Sequence, residues 1–123
     1  MYAVKIHANG ETETVDFPKD EKAVLKFLQS AVDGWIEHVS IVIHGRTYSM
    51  WVNEEGLLKG LPYNGIASYM YATSWDADGL IVGDVLITKG NKRGDTLPLL
   101  AVDVNEVMAG VKDYENAHNL DTI

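Results

Sequence analysis

Residues 35–53 constrain this chain more than any other segment. Trp35 to His44 alternates in the period-two manner of a strand, and Thr47 to Asn53 returns in the same manner. Between them Gly45-Arg46 puts glycine at the first central position of a two-residue loop, as a type II′ turn requires. A loop of that length sets the register. His44 then faces Thr47, Ile43 faces Tyr48, Ile41 faces Met50 and Val39 faces Val52. Apart from the His44–Thr47 end pair, these make one apolar face. The other face carries Val42 opposite Ser49, Ser40 opposite Trp51 and His38 opposite Asn53. A tryptophan on that second face is costly to leave in water. The structural expectation is that the irregular segment 54–80 folds back over it as a minor core. The functional alternative is a ligand or partner surface with Trp51 as anchor and His38 and Asn53 as polar guides.

The strand runs on into Val52-Asn53-Glu54-Glu55-Gly56-Leu57-Leu58-Lys59-Gly60-Leu61-Pro62-Tyr63-Asn64, which has no helical or strand period. Gly56 and Gly60 permit positive φ, Asn53 and Asn64 bond nearby backbone in turns, and Pro62 stiffens the exit. A structured turn explains all of them; a recognition loop requires in addition that the turn be exposed. Asn64 is placed to cap a short helix through Tyr71, with Ala67 and Met70 inward. Tyr63, Tyr69, Tyr71 and Trp75 make this region aromatic.

The flanks are more regular. Tyr2, Val4 and Ile6 form the apolar side of a first strand, Asn9-Gly10 signals a hairpin, and 12–17 returns until Pro18 stops it. Residues 20–32 read as a helix capped by Asp20. Its stripe is Val24, Phe27, Leu28 and Ala31, widened by Leu25 and Val32, and Gly34 is the terminating residue. Residues 80–89 read as a strand in which Gly83 marks a bulge or a close backbone approach. Residues 90–95, Gly-Asn-Lys-Arg-Gly-Asp, are glycine-flanked and basic, but they lack the Lys-Ser/Thr ending and following helix of a phosphate cradle and read as a mobile polar surface loop. Asp103, with Glu106 three residues on, suggests a capping box opening a last helix striped by Val104, Val107, Met108 and Val111. Residues 118–123 read as a frayed tail. The expected fold is therefore α+β: one domain over 1–123, with a small mixed or antiparallel sheet begun as ββαββ. A β-grasp-like arrangement is compatible with that order, as are other mixed sheets.

A chain of 123 residues can bury a real core without metal or disulfide help. It has no cysteine, which removes thiolate zinc sites, disulfides and cysteine nucleophiles and fits a reducing compartment. No apolar run reaches the ~20 residues of a membrane helix, and the start is unlike a signal peptide, so the expected location is the cytoplasm, without membrane association. The net charge of −8 disfavours general nucleic-acid binding. Its other use would be mimicry of DNA, but the acids are scattered along the chain. Phosphate-loop, dinucleotide and nucleophile-elbow motifs are absent. His38 and His44 share a strand face at too great a separation to ligate one ion. Asp76 and Asp78 read as turn residues, and Glu54 and Glu55 diverge. No metal and no cofactor is expected, nor any catalytic residue.

The 52–64 stretch resembles the central signature of a domain-of-unknown-function family found largely in phages, plasmids and other mobile elements. Ile81-Val82-Gly83-Asp84-Val85-Leu86-Ile87 resembles the family's second signature, and the hairpin–helix–hairpin opening is similar as well. The likeness loosens after Lys89, and the aromatic segment 66–79 is longer than the family's usual form. The resemblance implies no particular activity; it implies a mobile-element accessory protein acting inside a bacterial cell. Three functions follow as expectations. The first is a non-enzymatic module binding a host protein. The second is a small-molecule binder or small enzyme, with a pocket between the His38/Trp51 face and residues 54–75. The third is an acidic DNA mimic. The binding residues singled out are His38, Trp51, Asn53, Tyr63 and Asn64. Homo-oligomer formation through an exposed fifth strand is compatible with this reading.

Overall fold

The computed structural model describes residues 1–118. Its elements are β1 (Tyr2–Ile6), β2 (Thr12–Asp16), a 3-10 turn (Glu21–Ala23) leading into α1 (Val24–Val32), β3 (Ile36–Ile43), β4 (Arg46–Asn53), α2 (Gly65–Trp75), β5 (Val85–Gly90), β6 (Thr96–Leu97) and α3 (Ala101–His118). The strands form a six-stranded sheet in the order β2-β1-β5-β4-β3, with β6 added to β5. Every pairing is antiparallel. The architecture is α+β, with three helices laid on an antiparallel sheet.

The late strand β5 is what joins the two early hairpins. It lies between β1 and β4, and Val85 to Thr88 are all buried. A strand covered on both faces needs a continuous apolar run rather than alternation, which is what Val85-Leu86-Ile87 supplies. This corrects the expectation of an exposed fifth strand: the free edges are β2 and β3. β2 carries Glu13 and Asp16, charges that discourage edge pairing. β3 is obstructed by the end of α2. Ser74 Oγ accepts from Val42 N at 2.8 Å, and Trp75 Nε1 donates to Ser40 O at 2.9 Å.

One face of the sheet holds the main core. Val4, Ile6, Ile41, Ile43, Tyr48, Met50, Val52, Val85 and Ile87 meet Ile66, Ala67 and Met70 of α2 and Val107 and Val111 of α3. The other face is smaller. Ala3 and Leu86 pack with Leu28 of α1, and Phe27, Ala31, Ile36 and Trp51 close around them. Trp51 therefore packs on one side against the α1 cluster, not against residues 54–80. The connection after β4 carries the chain to α2 on the opposite face.

The second hairpin is turned one position earlier than its glycine suggested. Residues His44 (φ 49°) and Gly45 (φ 81°) are both left-handed and occupy the two central positions, a type I′ turn. Histidine enters this region more readily than most residues. The pairs become Ile43↔Arg46, Ile41↔Tyr48, Val39↔Met50 and His38↔Trp51. Each residue's partner moves by two, so both faces keep their composition. His44 also leaves the strand face it was assigned, and its ring turns to α3.

Other boundaries shift for local reasons. The first helical residues after Asp20 form a 3-10 turn, with Asp20 Oδ1 accepting from Lys22 N at 2.9 Å. Leu25 stands outside the buried stripe, and left-handed Asp33 rather than Gly34 ends α1. β5 begins at Val85, because Gly83 (φ 77°) sits in a turn whose N–H donates to Pro62 O at 2.7 Å. Residues 91–95 prove to be the loop of a β5–β6 hairpin. α3 begins before Asp103, whose Oδ2 accepts from Leu100 N (2.8 Å) and from Lys89 Nζ (3.1 Å). Asp103 thus plays the inner part of a cap. His118 belongs to α3 and stacks on Tyr114; the rest of the predicted tail, 119–123, lies outside the described residues.

His44 holds α3 to the β3–β4 turn. Its Nε2–H donates to Asp113 at 2.6 Å and its Nδ1–H to Glu106 at 3.3 Å. Asp113 and then Glu106 raise its pKa above the usual 6.5. A folded-state pKa above the unfolded value means the stabilisation is complete below pH 6.5 and is lost as pH rises through the folded pKa. An NMR titration of the imidazole should give a midpoint above 6.5 that falls in Asp113→Asn. An unchanged midpoint in that variant would show that Asp113 does not hold the ring.

Candidate functional site

Two surfaces stand out, and each is built by the backbone before any side chain is considered. The first is a groove on the half of the sheet's second face that α1 leaves uncovered. Antiparallel pairing sets His38 opposite Trp51, and their rings meet edge to face at 5.0 Å. The diagonal neighbour Ser49 shares a hydrogen bond of 2.9 Å between its Oγ and His38 Nε2. Trp51 Nε1 donates to the buried Thr88 Oγ1 at 2.9 Å. Both rings are thus held in place by hydroxyls of adjacent strands.

The β5–β6 loop forms the far wall. Asn91 shapes it: Oδ1 accepts from Arg93 N (2.9 Å) and Asp95 N (3.1 Å), while Nδ2 donates to Asp95 Oδ2 (2.9 Å). Gly90 admits Ser49, since a Cβ at that position would lie 3.2 Å from Ser49 Oγ. The open groove has a volume of about 660 Å³, with His38, Ser40, Thr47, Ser49, Trp51, Lys92 and Thr96 on its walls. That is the volume of a small-molecule site. A serine–histidine pair invites comparison with a nucleophile and its base. Such a pair also needs a group orienting the imidazole's other nitrogen and donors for an oxyanion. Among the described residues His38 Nδ1 has no protein partner, and Ser49 is 7% exposed. The arrangement suits binding.

The second surface is the turn after β4. Its inside is tightly engaged. Asn53 Nδ2 donates to Val32 O (3.0 Å) and Asp33 O (3.2 Å), closing the end of α1, and its Oδ1 accepts from Glu55 N at 2.8 Å. A Cβ on Gly56 would lie 2.8 Å from Val82 Cγ2, and one on Gly83 the same distance from Leu61 Cδ1. Asn64 is wholly buried. Its Oδ1 caps α2 through Ala67 N (3.0 Å), and its Nδ2 donates to Ile6 O (3.1 Å) and Gly83 O (2.9 Å). The outside is apolar and open: Leu57 is 66% exposed, Leu58 89% and Trp35 63%. Trp35 adjoins the turn, because its carbonyl accepts from Glu54 N at 2.8 Å. Lys59 reaches the same place, its Nζ 3.4 Å from where a side chain on Gly34 would begin.

Of the residues singled out from the sequence, His38 and Trp51 come together in the groove. Asn53 and Asn64 do not join them; their amides are spent on the backbone. Tyr63 is exposed elsewhere, paired with Val82 at the exit of the turn. The walls of the groove at His38 and Trp51 come from β3, β4 and the β5–β6 loop, whereas residues 54–75 leave for the opposite face. Ser49 and Thr88 were missed, and the 90–95 loop, weighed as a phosphate cradle, was set aside as a surface loop. The signal for Ser49 was the turn: placing His44-Gly45 at its centre makes Ser49 the diagonal neighbour of His38.

No helix among the described residues is long and apolar enough to cross a membrane. Neither the curated proteins nor the solved structures hold a significant match to the chain. A family model does match, over residues 1–112, which take in the whole sheet, α1, α2 and most of α3. With that span matched, the chain belongs to the family described as Domain of unknown function (DUF3846).

Proposed function

We propose that this protein is a non-enzymatic binding module that docks on a host protein through the Leu57-Leu58-Lys59 turn and Trp35. One observation carries the reading: two adjacent leucines stand outside a turn whose inner side is fixed by Asn53, Gly56 and Leu61. Exposed apolar side chains grouped on a fixed segment mark interaction sites, and anchors held in place lose little entropy on binding. The partner this fits presents an apolar pocket with a carboxylate on its rim for Lys59. The setting is the bacterial cytoplasm, as an accessory of a mobile element; support for it is the sequence resemblance and the absence of cysteine. Mimicry of DNA has less support. Glu13, Asp84, Asp95, Asp103, Glu106 and Asp113 each engage a basic side chain instead of forming a free acidic row.

The test compares capture from bacterial lysate by the wild type and by the Leu57→Ala/Leu58→Ala double variant. Both leucines are exposed, so the fold and the denaturation midpoint should hold. A specific partner should be captured by the wild type and bind the double variant at least roughly tenfold more weakly, the loss of about 1.4 kcal/mol. Equal capture by both proteins, or repeated capture of nothing by the wild type, sinks the reading.

A further inference from the structure

The groove between Trp51 and the β5–β6 loop is separate from the leucine turn, and its chemistry is different. It is lined by hydroxyls of Ser40, Thr47 and Thr96, by an aromatic pair whose orientation is fixed, and by one lysine. Among the described residues its only carboxylate is Asp95, already engaged by Asn91 Nδ2 at 2.9 Å and Arg93 Nε at 3.5 Å. Lys92 forms no ion pair among the described residues. On a chain of net charge −8, this is a local concavity that offers an uncompensated cation and neutral hydrogen-bonding groups.

We infer that the groove binds a phosphorylated small molecule of the nucleotide class, its body against Trp51 and His38 and its phosphate toward Lys92. The components divide the work. Trp51 and His38 offer aromatic surface for a planar, weakly polar body. The serine and threonine hydroxyls match the hydroxyl and ring-nitrogen pattern of a nucleoside, since each hydroxyl both donates and accepts. Lys92 supplies a charge-assisted bond to the phosphate, and a lysine acts there as a flexible point charge needing no fixed fork geometry. The volume of about 660 Å³ accommodates one such molecule. The hydrogen bonds to Thr88 and Ser49 keep the aromatic pair in position before a ligand arrives, so little ordering is left to binding.

The experiment titrates the protein with adenosine monophosphate, adenosine and inorganic phosphate, following the Trp51 indole N–H by NMR; Trp51→Phe identifies the signal. The monophosphate should shift the Trp51 signal with submillimolar affinity, and adenosine should bind at least tenfold more weakly. Lys92→Ala, an exposed loop change that leaves the fold intact, should erase that preference for the monophosphate without weakening adenosine. Two results overturn the inference. One is no response to any probe at millimolar concentration. The other is equal binding of adenosine and its monophosphate with Lys92→Ala unchanged, which would make the groove a site for a neutral ligand. Capture through Leu57 and Leu58 is read in a different assay, so failure of either proposal leaves the other standing.

Discussion

Replacing Asn64 with alanine is expected to cost about 3–4 kcal/mol. Asn64 is fully buried and uses both ends of its amide. The oxygen caps α2 at Ala67 N, a bond whose loss typically costs ~1 kcal/mol. The nitrogen donates to Ile6 O and Gly83 O, tying β1 to the turn before β5. Alanine removes both of these buried bonds, at roughly 1 kcal/mol or more each. Against a total stability of roughly 5–15 kcal/mol for a domain of this kind, the variant should melt on the order of 10 °C lower. Urea denaturation followed by circular dichroism measures it, and a loss below about 1 kcal/mol would contradict the argument. Asn64→Asp separates the two roles. It keeps the capping oxygen but turns a second acceptor toward two carbonyls. At neutral pH it should be at least as destabilised as Asn64→Ala. Recovery to wild-type stability would mean that the cap is the whole contribution.

That asparagine shows what could be read from sequence and what could not. Its cap was legible, because asparagine before an apolar run is a local signal. Its two long-range bonds were not, because nothing local says that Ile6 and Gly83 converge there. The same division holds for the β3–β4 hairpin. The two faces were assigned correctly although the turn was placed one residue late, since a two-residue change of partner leaves side-chain alternation intact. The consequence fell on the site: His38 was paired with Asn53, which caps α1, when its neighbours are Trp51 and Ser49. The cover of Trp51 was misassigned for a topological reason. β5 inserts between the hairpins, α1 takes the face that Trp51 shares with Leu86, and residues 54–64 are committed to delivering α2 to the other side. The groove's far wall, residues 90–95, carried a basic pair among turn residues, and neither reveals what a loop will face.

Gly79→Ala is expected to cost about 2–3 kcal/mol, although Gly79 lies in a partly exposed loop where a methyl group would ordinarily be tolerated. The reason is proximity to backbone. A Cβ on Gly79 would lie 2.3 Å from Ser68 O and 3.3 Å from Ala72 N, both in α2. A rigid helix offers no rotamer by which to yield, so the loop must withdraw, which places the cost in the overpacking range of roughly 1–3 kcal/mol. Withdrawal also breaks what the approach secures. Ser68 Oγ donates to Ile81 O at 3.1 Å and accepts from Ile81 N at 2.9 Å, fastening the chain to α2 just before it enters β5. Gly10→Ala is the contrasting case. Its φ of 94° disfavours a side chain, but nothing lies within 4 Å of the added carbon, so backbone conformation alone sets its cost, about 1 kcal/mol. If the two variants lose equal stability, the close contact with α2 contributes nothing beyond loop conformation. If Gly79→Ala loses clearly more, and Ser68→Ala then adds little on top of it, the loop, helix and entry to β5 act as one fastened unit. That coupling is expected, because both substitutions release the same segment from α2.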